Sequence, residues 1–400
     1  MPLRILVFAT EWWSAHGGLS SLNRQLCVAL AGVGHQIICV VLAATEQEIA
    51  EAAARNIQLI KAPEQVGYQE EERLILYSQS AAPEFKPDLI IGHDHKTGPQ
   101  AFHAAKRVYD NLPFIFVLHT IPEETELHKS RTGTSVRSAA EKSKIQMDLC
   151  KRAQLVVAVG PRIYRHFQNR FMTPLFELRP GLDARLLQQV VDLTTPRAPW
   201  CLLFGRMEDA DLKGAELACH TIRKLNEKWG WPPVSRPKLI IRGFSADFPS
   251  SEYAPLIKFK DHVLYRQYSS DAEEIIGDIN SASVVIMPSK REGFGLVALE
   301  AVAAGVPIIV SSESGFALLL YSPDIYKILG KDLVDLCVAE VDGEDSDAIC
   351  ADWAAKLRIV LDKSKDAFIR AEEMRNKLKS ILTWENAAKQ MSEKIREVIA

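Results

Sequence analysis

Short, unbroken runs of β-branched and other apolar residues alternate along this chain with longer segments of helical period, and the alternation occurs twice. An apolar run without polar residues is typical of a strand buried on both faces, and helices between such strands make them parallel. The first half of the chain is therefore predicted to be a parallel sheet covered by helices on both faces. Its five runs have the length of single strands: residues 3–9, 37–42, 88–92, 114–118 and 155–159.

A second series follows residues 192–199, a polar, proline-bearing stretch that suits a linker. A chain of 400 residues with 47% hydrophobic content usually forms two domains. We predict an α/β architecture of two doubly wound Rossmann-like domains, 1–192 and 200–378, facing each other across a cleft, followed by a helical tail over 379–400. The apolar runs of the second series are 201–205, 238–242, 283–287, 307–310 and 334–339.

Charge and cysteine content limit the classes of partner. There are 48 basic and 51 acidic residues, which gives no reason to expect nucleic acid or an anionic membrane as a partner. The seven cysteines lack CxxC spacing, which predicts free thiols in a reducing compartment and no zinc site. We interpret the first apolar run as a strand rather than a leader peptide, and the sequence has no run of about 18 apolar residues, so we expect a cytoplasmic protein without a transmembrane segment. The oligomeric state stays open.

The most informative stretch follows the run 283–287. It reads Lys-Arg-Glu-Gly-Phe-Gly over 290–295 and is followed by an apolar helix. A glycine-rich turn between strand and helix aims backbone N–H groups at one point, which suits a phosphate. Glu292 lies beside that point, and Glu300 lies in the second turn of the helix. A buried carboxylate needs hydrogen-bond donors, which a sugar or ribose diol supplies. The alternative is that Glu300 pairs with a buried cation and Glu292 is a solvated loop residue.

The same layout occurs after the run 201–205. Gly205 and Arg206 follow the strand, and Lys213 and Gly214 precede the next helix. A guanidinium and an ammonium at the end of one strand can hold a pyrophosphate from two sides. Each cation alone would more often be a surface charge, whereas the two together after a strand favour phosphate binding.

Weaker signals lie in the first domain. Gly17 and Gly18 precede a helix, where glycines allow close approach of a ligand, although a plain tight turn gives the same pattern. His119 ends a buried strand, where it could contact a hydroxyl or simply be a structural imidazole bonded to backbone. His93 and His95 end another strand, but a metal site would need further ligands that the sequence does not offer at suitable spacing.

Taken together, these motifs resemble those of the GT-B, family 4 class of retaining glycosyltransferases. The resemblance covers nearly the full chain in the right order. It rests chiefly on the segment "PSKREGFGLVALEAVAAGVPIIV", and further on Arg206 and Lys213 in "GRMEDADLKG", on the Gly-Gly pair, on "LRPGLD" and on the tail "TWENAAKQM". It implies a hexosyltransferase that uses a nucleotide diphosphate sugar (UDP-, GDP- or ADP-linked) and an unidentified acceptor, with no cofactor and no metal.

The resemblance also implies residue roles. Arg206 and Lys213 would hold the diphosphate, Glu300 the ribose hydroxyls, and Glu292 would lie against the sugar ring. His119 would contact the donor sugar, the first domain would bind the acceptor, and the helix after Trp384 would return to it. The N–H groups of the glycine loops complete the predicted donor site, which comprises Gly17, Gly18, Gly205, Gly293, Phe294, Gly295 and Leu296.

One departure from the family pattern concerns the paired cations. Six residues separate Arg206 from Lys213, where many relatives have four, so we expect Lys213 to enter at a different angle. Two other classes of function stay open. One is a nucleotide-sugar-binding sensor or scaffold without turnover within a larger protein, and the other is a sugar-nucleotide epimerase. A dinucleotide oxidoreductase is poorly supported because no G-x-G-x-x-G follows the first strand.

Overall fold

The computed structural model describes residues 2–13, 18–68, 70–80, 84–128, 134–192, 197–232, 235–246, 248 and 253–399. It divides into two compact units. Unit 1 contains Met1–Glu126, Gly133–Gly181 and Leu382–Ala400, and unit 2 contains Leu127–Thr132 and Leu182–Ile381. Gly17, one of the predicted site residues, and residues 193–196 of the predicted linker lie outside the described residues.

Within the described residues, the sheet of unit 1 has seven parallel strands in the order β3-β2-β1-β4-β5-β6-β7. All side chains of β5 are fully buried, and those of β6 nearly so, which agrees with the unbroken apolar runs from which they were predicted. The strands are β1 Arg4–Phe8, β2 Gln36–Val41, β3 Ile57–Lys61, β4 Leu89–His93, β5 Phe114–Leu118, β6 Leu155–Val159 and β7 Leu175–Leu178.

Helices separate these strands and cover the sheet. Those that precede residue 168 are α1 Gly18–Gly32, α2 Glu46–Ala53, α3 Glu72–Ser80, α4 Asp94–His103, α5 Pro122–Thr125, α6 Thr134–Arg152 and α7 Gly160–Phe167, with a π-helical turn at Ala104–Val108 and a 3₁₀ turn at Glu126–His128.

The sheet of unit 2, again within the described residues, has six parallel strands in the order β10-β9-β8-β11-β12-β13. The strands are β8 Trp200–Phe204, β9 Lys238–Phe244, β10 Val263–Gln267, β11 Val284–Met287, β12 Ile308–Ser311 and β13 Val338–Ala339. The helices are α8 Ala184–Leu187, α9 Ala215–Trp229, α10 Ala254–Ile257, α11 Ala272–Ser281, α12 Leu296–Ala304, α13 Gly315–Leu320, α14 Pro323–Leu329, α15 Lys331–Cys337, α16 Ser346–Asp362 and α17 Ser364–Leu378, with a 3₁₀ turn at Met207–Asp209.

A last helix, α18 (Trp384–Ile399), belongs to unit 1 and packs on α1 and β7. Two contacts fix it there. His35 Nδ1 accepts from the Leu3 N–H at 3.0 Å, so its Nε2 carries the proton and donates to Ser392 Oγ at 2.9 Å. A Cβ added at Gly181 would lie 2.1 Å from the Trp384 nitrogen, so the chain before α18 lies directly on Gly181.

The α/β fold class predicted from the sequence is confirmed, with one strand wrongly assigned. Residues 334–339 were predicted as a strand, but α15 occupies most of them and β13 keeps only Val338 and Ala339. Leu333, Val334, Leu336 and Cys337 have the spacing of one helical face, and Leu333 and Val334 are buried. The period of the pattern, rather than its apolar content, decides the structure there. Among the described residues, no helix is long and apolar enough to cross a membrane.

Both sheets have a point where the strand order reverses. In unit 2 it lies between β8 and β11, and in unit 1 between β1 and β4. Loops that leave the carboxyl ends of two such strands diverge to opposite faces of the sheet, and the crevice between them is where α/β folds bind ligands. The predicted site residues of unit 2 follow β8 and β11 directly.

Candidate functional site

The Gly-Phe-Gly loop, defined here as residues 288–295, joins β11 to α12. Gly295 has φ of 100°, in the left-handed region, and a Cβ there would lie 2.6 Å from Met287 Cε. Only glycine fits this position without displacing its neighbour. No hydrogen bond within the described residues engages the backbone N–H groups of Gly293, Phe294 or Gly295. These donors therefore lie unused at the N-terminus of α12, which is an arrangement suited to an anion.

A second loop holds this one in place and was not predicted as part of the site. The supporting loop, residues 311–316, donates from Gly315 N to Glu292 O at 3.0 Å and from Phe316 N to Phe294 O at 2.6 Å. A Cβ on Gly315 would lie 2.1 Å from Gly293 O, so glycine is required for this contact. Phe294 is buried, and its ring packs edge-on against that of Phe316. Its backbone is available to a ligand, whereas its side chain anchors the loop.

The loop after β8 lies against the Gly-Phe-Gly loop. Lys290 N donates to Leu212 O at 2.9 Å, and a Cβ added at Gly214 would lie 2.0 Å from Pro288 O. Gly214 has φ of 66°, so both its conformation and its contact require glycine. The position of Lys213, one residue earlier, is therefore set by the backbone of the neighbouring loop.

Lys213 contacts the first of the predicted carboxylates. Its Nζ lies 2.6 Å from Glu292 Oε2, which also accepts from Ser289 Oγ at 3.4 Å. The side chains of the pair are 24% and 19% exposed, so the charges are partly withdrawn from water. The aliphatic part of Lys213 passes 3.5 Å from where a Gly205 Cβ would be, and glycine leaves room for it.

Arg206 follows β8 and is paired with a residue that the sequence analysis did not single out. Its guanidinium contacts Asp209 Oδ2, with Nη2 at 2.6 Å and Nε at 3.1 Å. Asp209 is buried, while the Arg206 side chain is 39% exposed. Both predicted diphosphate-binding cations thus have a carboxylate partner in this structure.

Glu300 lies in the second turn of α12, as the sequence indicated. It is partly exposed, and its Oε2 atom is shielded from solvent. Leu296 begins this helix. Unit 2 contains nine of the predicted site residues, and a side-chain contact joins two of them, Lys213 and Glu292.

The remaining predicted residues belong to unit 1. Gly18 begins α1 after the first strand. His119 directly follows β5 and is partly exposed. Its Nε2 lies 2.9 Å from Nδ1 of His93, which is the last residue of β4 and lies at the same edge of the sheet. Burial lowers the pKa of His93 to about 3, and burial together with His93 holds the pKa of His119 well below its ordinary value. Both imidazoles are therefore neutral near pH 7.

Metal ligation receives no support from this histidine pair. Within the residues that the structure describes, no three His, Cys, Asp or Glu side chains are grouped so that they could hold a metal ion. The seven cysteines are all described, and all are free thiols. Burial raises the pKa of Cys201, Cys219 and Cys337 to about 12, which makes these thiols unreactive.

Glycosyltransferases are among the solved structures that share this fold. Sucrose-phosphate synthase from Thermosynechococcus elongatus aligns with a TM-score of 0.73 at 17% identity, covering 99% of both chains. HepE of Anabaena, in complex with UDP and glucose, aligns with a TM-score of 0.66 at 16% identity, covering 98% of this chain and 99% of that one. The protein therefore has the fold of the GT-B glycosyltransferases.

The family can also be named. The chain belongs to the family described as "Family 4 Glycosyltransferase in conflict systems", whose model matches residues 6–391. D-inositol 3-phosphate glycosyltransferase from Corynebacterium diphtheriae is 23% identical over 225 residues, which are 52% of this chain and 51% of that protein. The match thus spans about half the length of that relative. The resemblance to family 4 glycosyltransferases stated from the sequence is confirmed.

Proposed function

We propose that the protein transfers a hexose from a nucleoside diphosphate sugar to an acceptor, with retention of anomeric configuration and without a bound metal. Unit 2 binds the donor in this proposal, and unit 1 provides contacts for the acceptor. The observation that carries the proposal is the position of Lys213 beside the Gly-Phe-Gly loop, whose N–H groups are unused. Ammonium and convergent N–H donors at a strand-order reversal are the groups that a diphosphate needs.

The chemistry follows from the leaving group. Departure of a nucleoside diphosphate leaves negative charge on the phosphate oxygens and positive character on the sugar. Fixed cations and N–H dipoles at the phosphate stabilise that transition state most. Lys213 and Arg206 supply the cations, and Gly293, Phe294 and Gly295 supply the dipoles.

The two predicted carboxylates, Glu292 and Glu300, have a part in the same proposal. When the diphosphate binds Lys213, Glu292 is released from its ion pair and lies against the sugar ring. Glu300, in the second turn of the helix whose N-terminus meets the phosphates, accepts hydrogen bonds from the ribose hydroxyls. Gly17 and Gly18 contribute further N–H donors, and His119 contacts a substrate hydroxyl.

The test begins with donor choice and ends with stereochemistry. A thermal-shift screen of UDP-, GDP- and ADP-sugars identifies the donor, and proton NMR of the product gives its anomeric configuration. Lys213→Ala and Glu300→Ala should each abolish transfer, and a chelator should leave it unchanged. Tight donor binding with no nucleotide release, whatever acceptor is offered, would replace the proposal with a sensor function. Product formed without acceptor would indicate an epimerase.

A further inference from the structure

Unit 1 contains a buried chain of hydrogen bonds that ends at His119. Asn23, on α1, places its Oδ1 3.0 Å from Nε2 of His93, and His93 Nδ1 lies 2.9 Å from Nε2 of His119. Asn23 and His93 are completely buried, whereas His119 is partly exposed. The chain therefore runs from the core to a side chain that solvent or a ligand can reach.

The amide of Asn23 determines which atom donates in each hydrogen bond of this chain. Asn23 Oδ1 is the atom that faces His93, and it also accepts from Cys27 Sγ at 3.6 Å, while Asn23 Nδ2 donates to Cys39 Sγ at 3.6 Å. An amide oxygen only accepts, hence His93 Nε2 carries the proton. Because His93 is neutral, its Nδ1 is an acceptor, and His119 Nε2 must donate to it.

The backbone of His119 is held as firmly as its ring. Its N–H donates to Asp94 Oδ1 at 3.1 Å, and the same carboxylate accepts from Gln146 Nε2 at 2.8 Å and from Thr120 Oγ1 at 3.0 Å. Asp94 has φ of 43°, an uncommon conformation that these three donors stabilise. A ring whose backbone and one nitrogen are both fixed presents its other nitrogen in a single orientation.

We propose that Asn23 and His93 are positioning residues that keep His119 in the tautomer protonated at Nε2, so that its Nδ1 accepts a hydrogen bond from a substrate hydroxyl. Within the described residues no hydrogen bond engages Nδ1. The identity of the substrate rests on the proposed function, whereas the tautomer does not. The consequence is a requirement for a hydroxyl: a fluorine at the same position of the sugar cannot donate, and it would face the lone pair of Nδ1.

The tautomer is read directly by proton–nitrogen NMR of the full chain carrying isotope-labelled histidine, with no substrate present. The expected result is a protonated Nε2 and an unprotonated Nδ1 in both His93 and His119. Protonation of Nδ1 in His119 would overturn the proposal, because the amide of Asn23 would then face His93 with its nitrogen. This result is independent of whether the protein is a transferase.

Three variants separate positioning from general core packing. Asn23→Leu removes the acceptor at similar size and should leave His119 in a mixture of tautomers, whereas Asn23→Asp keeps an acceptor oxygen and should preserve the wild-type tautomer. Thr97→Val is the matched control, since its hydroxyl accepts from the His93 backbone N–H and donates to Phe8 O without touching either ring. It should lower stability and leave the tautomer unchanged. An unchanged tautomer in Asn23→Leu would refute the role of Asn23.

A panel of singly fluorinated donor sugars tests the consequence for substrate selection. In the wild type, one position should lower kcat/KM by roughly ten- to a hundred-fold, the range for leaving one buried polar group unpaired. The same loss should shrink in Asn23→Leu, because His119 can then adopt the tautomer that donates. Equal tolerance of fluorine at every position would contradict the assigned acceptor. Absence of transfer with every donor, together with the expected tautomer, would overturn the proposed function alone.

Discussion

The ion pair between Lys213 and Glu292 leads to the sharpest prediction about donor binding. If Lys213 binds the diphosphate, Glu292 competes with that diphosphate in the free protein. Replacement of Glu292 by Gln keeps the shape of the side chain and removes its charge. We expect Glu292→Gln to bind a nucleoside diphosphate without its sugar more tightly than the wild type, while its transferase activity falls, because the sugar contact is altered.

The magnitude follows from the geometry. Two unit charges about 4 Å apart attract by about 4 kcal/mol at an effective dielectric constant of about 20. The two side chains keep 24% and 19% of their surface exposed, and the glutamine amide still accepts a hydrogen bond from Lys213. Measured values for partly exposed pairs suggest a net competition of about 1 kcal/mol, which corresponds to about a five-fold lower Kd.

Titration calorimetry with the diphosphate at low ionic strength measures this change. Glu344→Gln is the matched control, because Glu344 is exposed and the substitution makes the same change in net charge. It should leave the Kd unchanged. In a Lys213→Met background the gain from Glu292→Gln should disappear, since the competition acts through Lys213. A Kd that is unchanged or higher in Glu292→Gln, with the protein still folded, would refute the assignment of Lys213 to the phosphates.

Three further predictions concern packing and pH. Gly315→Ala should weaken donor binding at least ten-fold, because its Cβ would lie 2.1 Å from a carbonyl oxygen of the Gly-Phe-Gly loop, whereas Gly277→Ala, which has open space on α11, should leave binding intact; calorimetry of both variants decides. Gly181→Ala should lower the free energy of unfolding by roughly 1–3 kcal/mol through its clash with Trp384, and urea titration that shows no loss would contradict the contact. The pKa of His93 falls from 6.5 to about 3 on folding, so the unfolded chain binds more protons below pH 6.5, and stability is full above that pH and decreases as the pH falls. Between pH 6.5 and pH 5 this histidine alone should cost about 2 kcal/mol, and equal urea midpoints near pH 7 and pH 5 would refute its burial as a neutral ring.

The sequence predicted the central strands well and the edge strands poorly. Strands such as β5 and β6 are covered on both faces, so every residue must be apolar and the run is easy to recognise. The three unpredicted strands are β3, β7 and β10. All three are edge strands, which pair with a neighbouring strand on one side only. In β3 (Ile57–Lys61), buried and exposed positions also alternate over the first residues. A search for long apolar runs therefore misses them.

The site residues were likewise predicted only in part. Local sequence placed Glu292 and Lys213 after adjacent strands, but a sequence cannot state that their side chains meet across 79 positions. Asp209 was overlooked because an acidic residue in a charged loop is usually solvated, and only the fold shows it buried against Arg206. Gly315 was not predicted as part of the site, because the contact that requires glycine there involves a carbonyl of a different loop.

The order in which the two units can form during synthesis is a consequence of helix α18. Unit 1 needs the apolar face of α18, with Met391 and Ile395, to cover α1, yet about 200 residues of unit 2 separate that helix from the rest of its unit. At about 5–20 residues per second, a ribosome needs roughly 10 to 40 seconds to deliver them. Throughout that interval the face of α1 that α18 covers lacks that cover on the nascent chain, and exposed apolar surface of this kind is what chaperones bind.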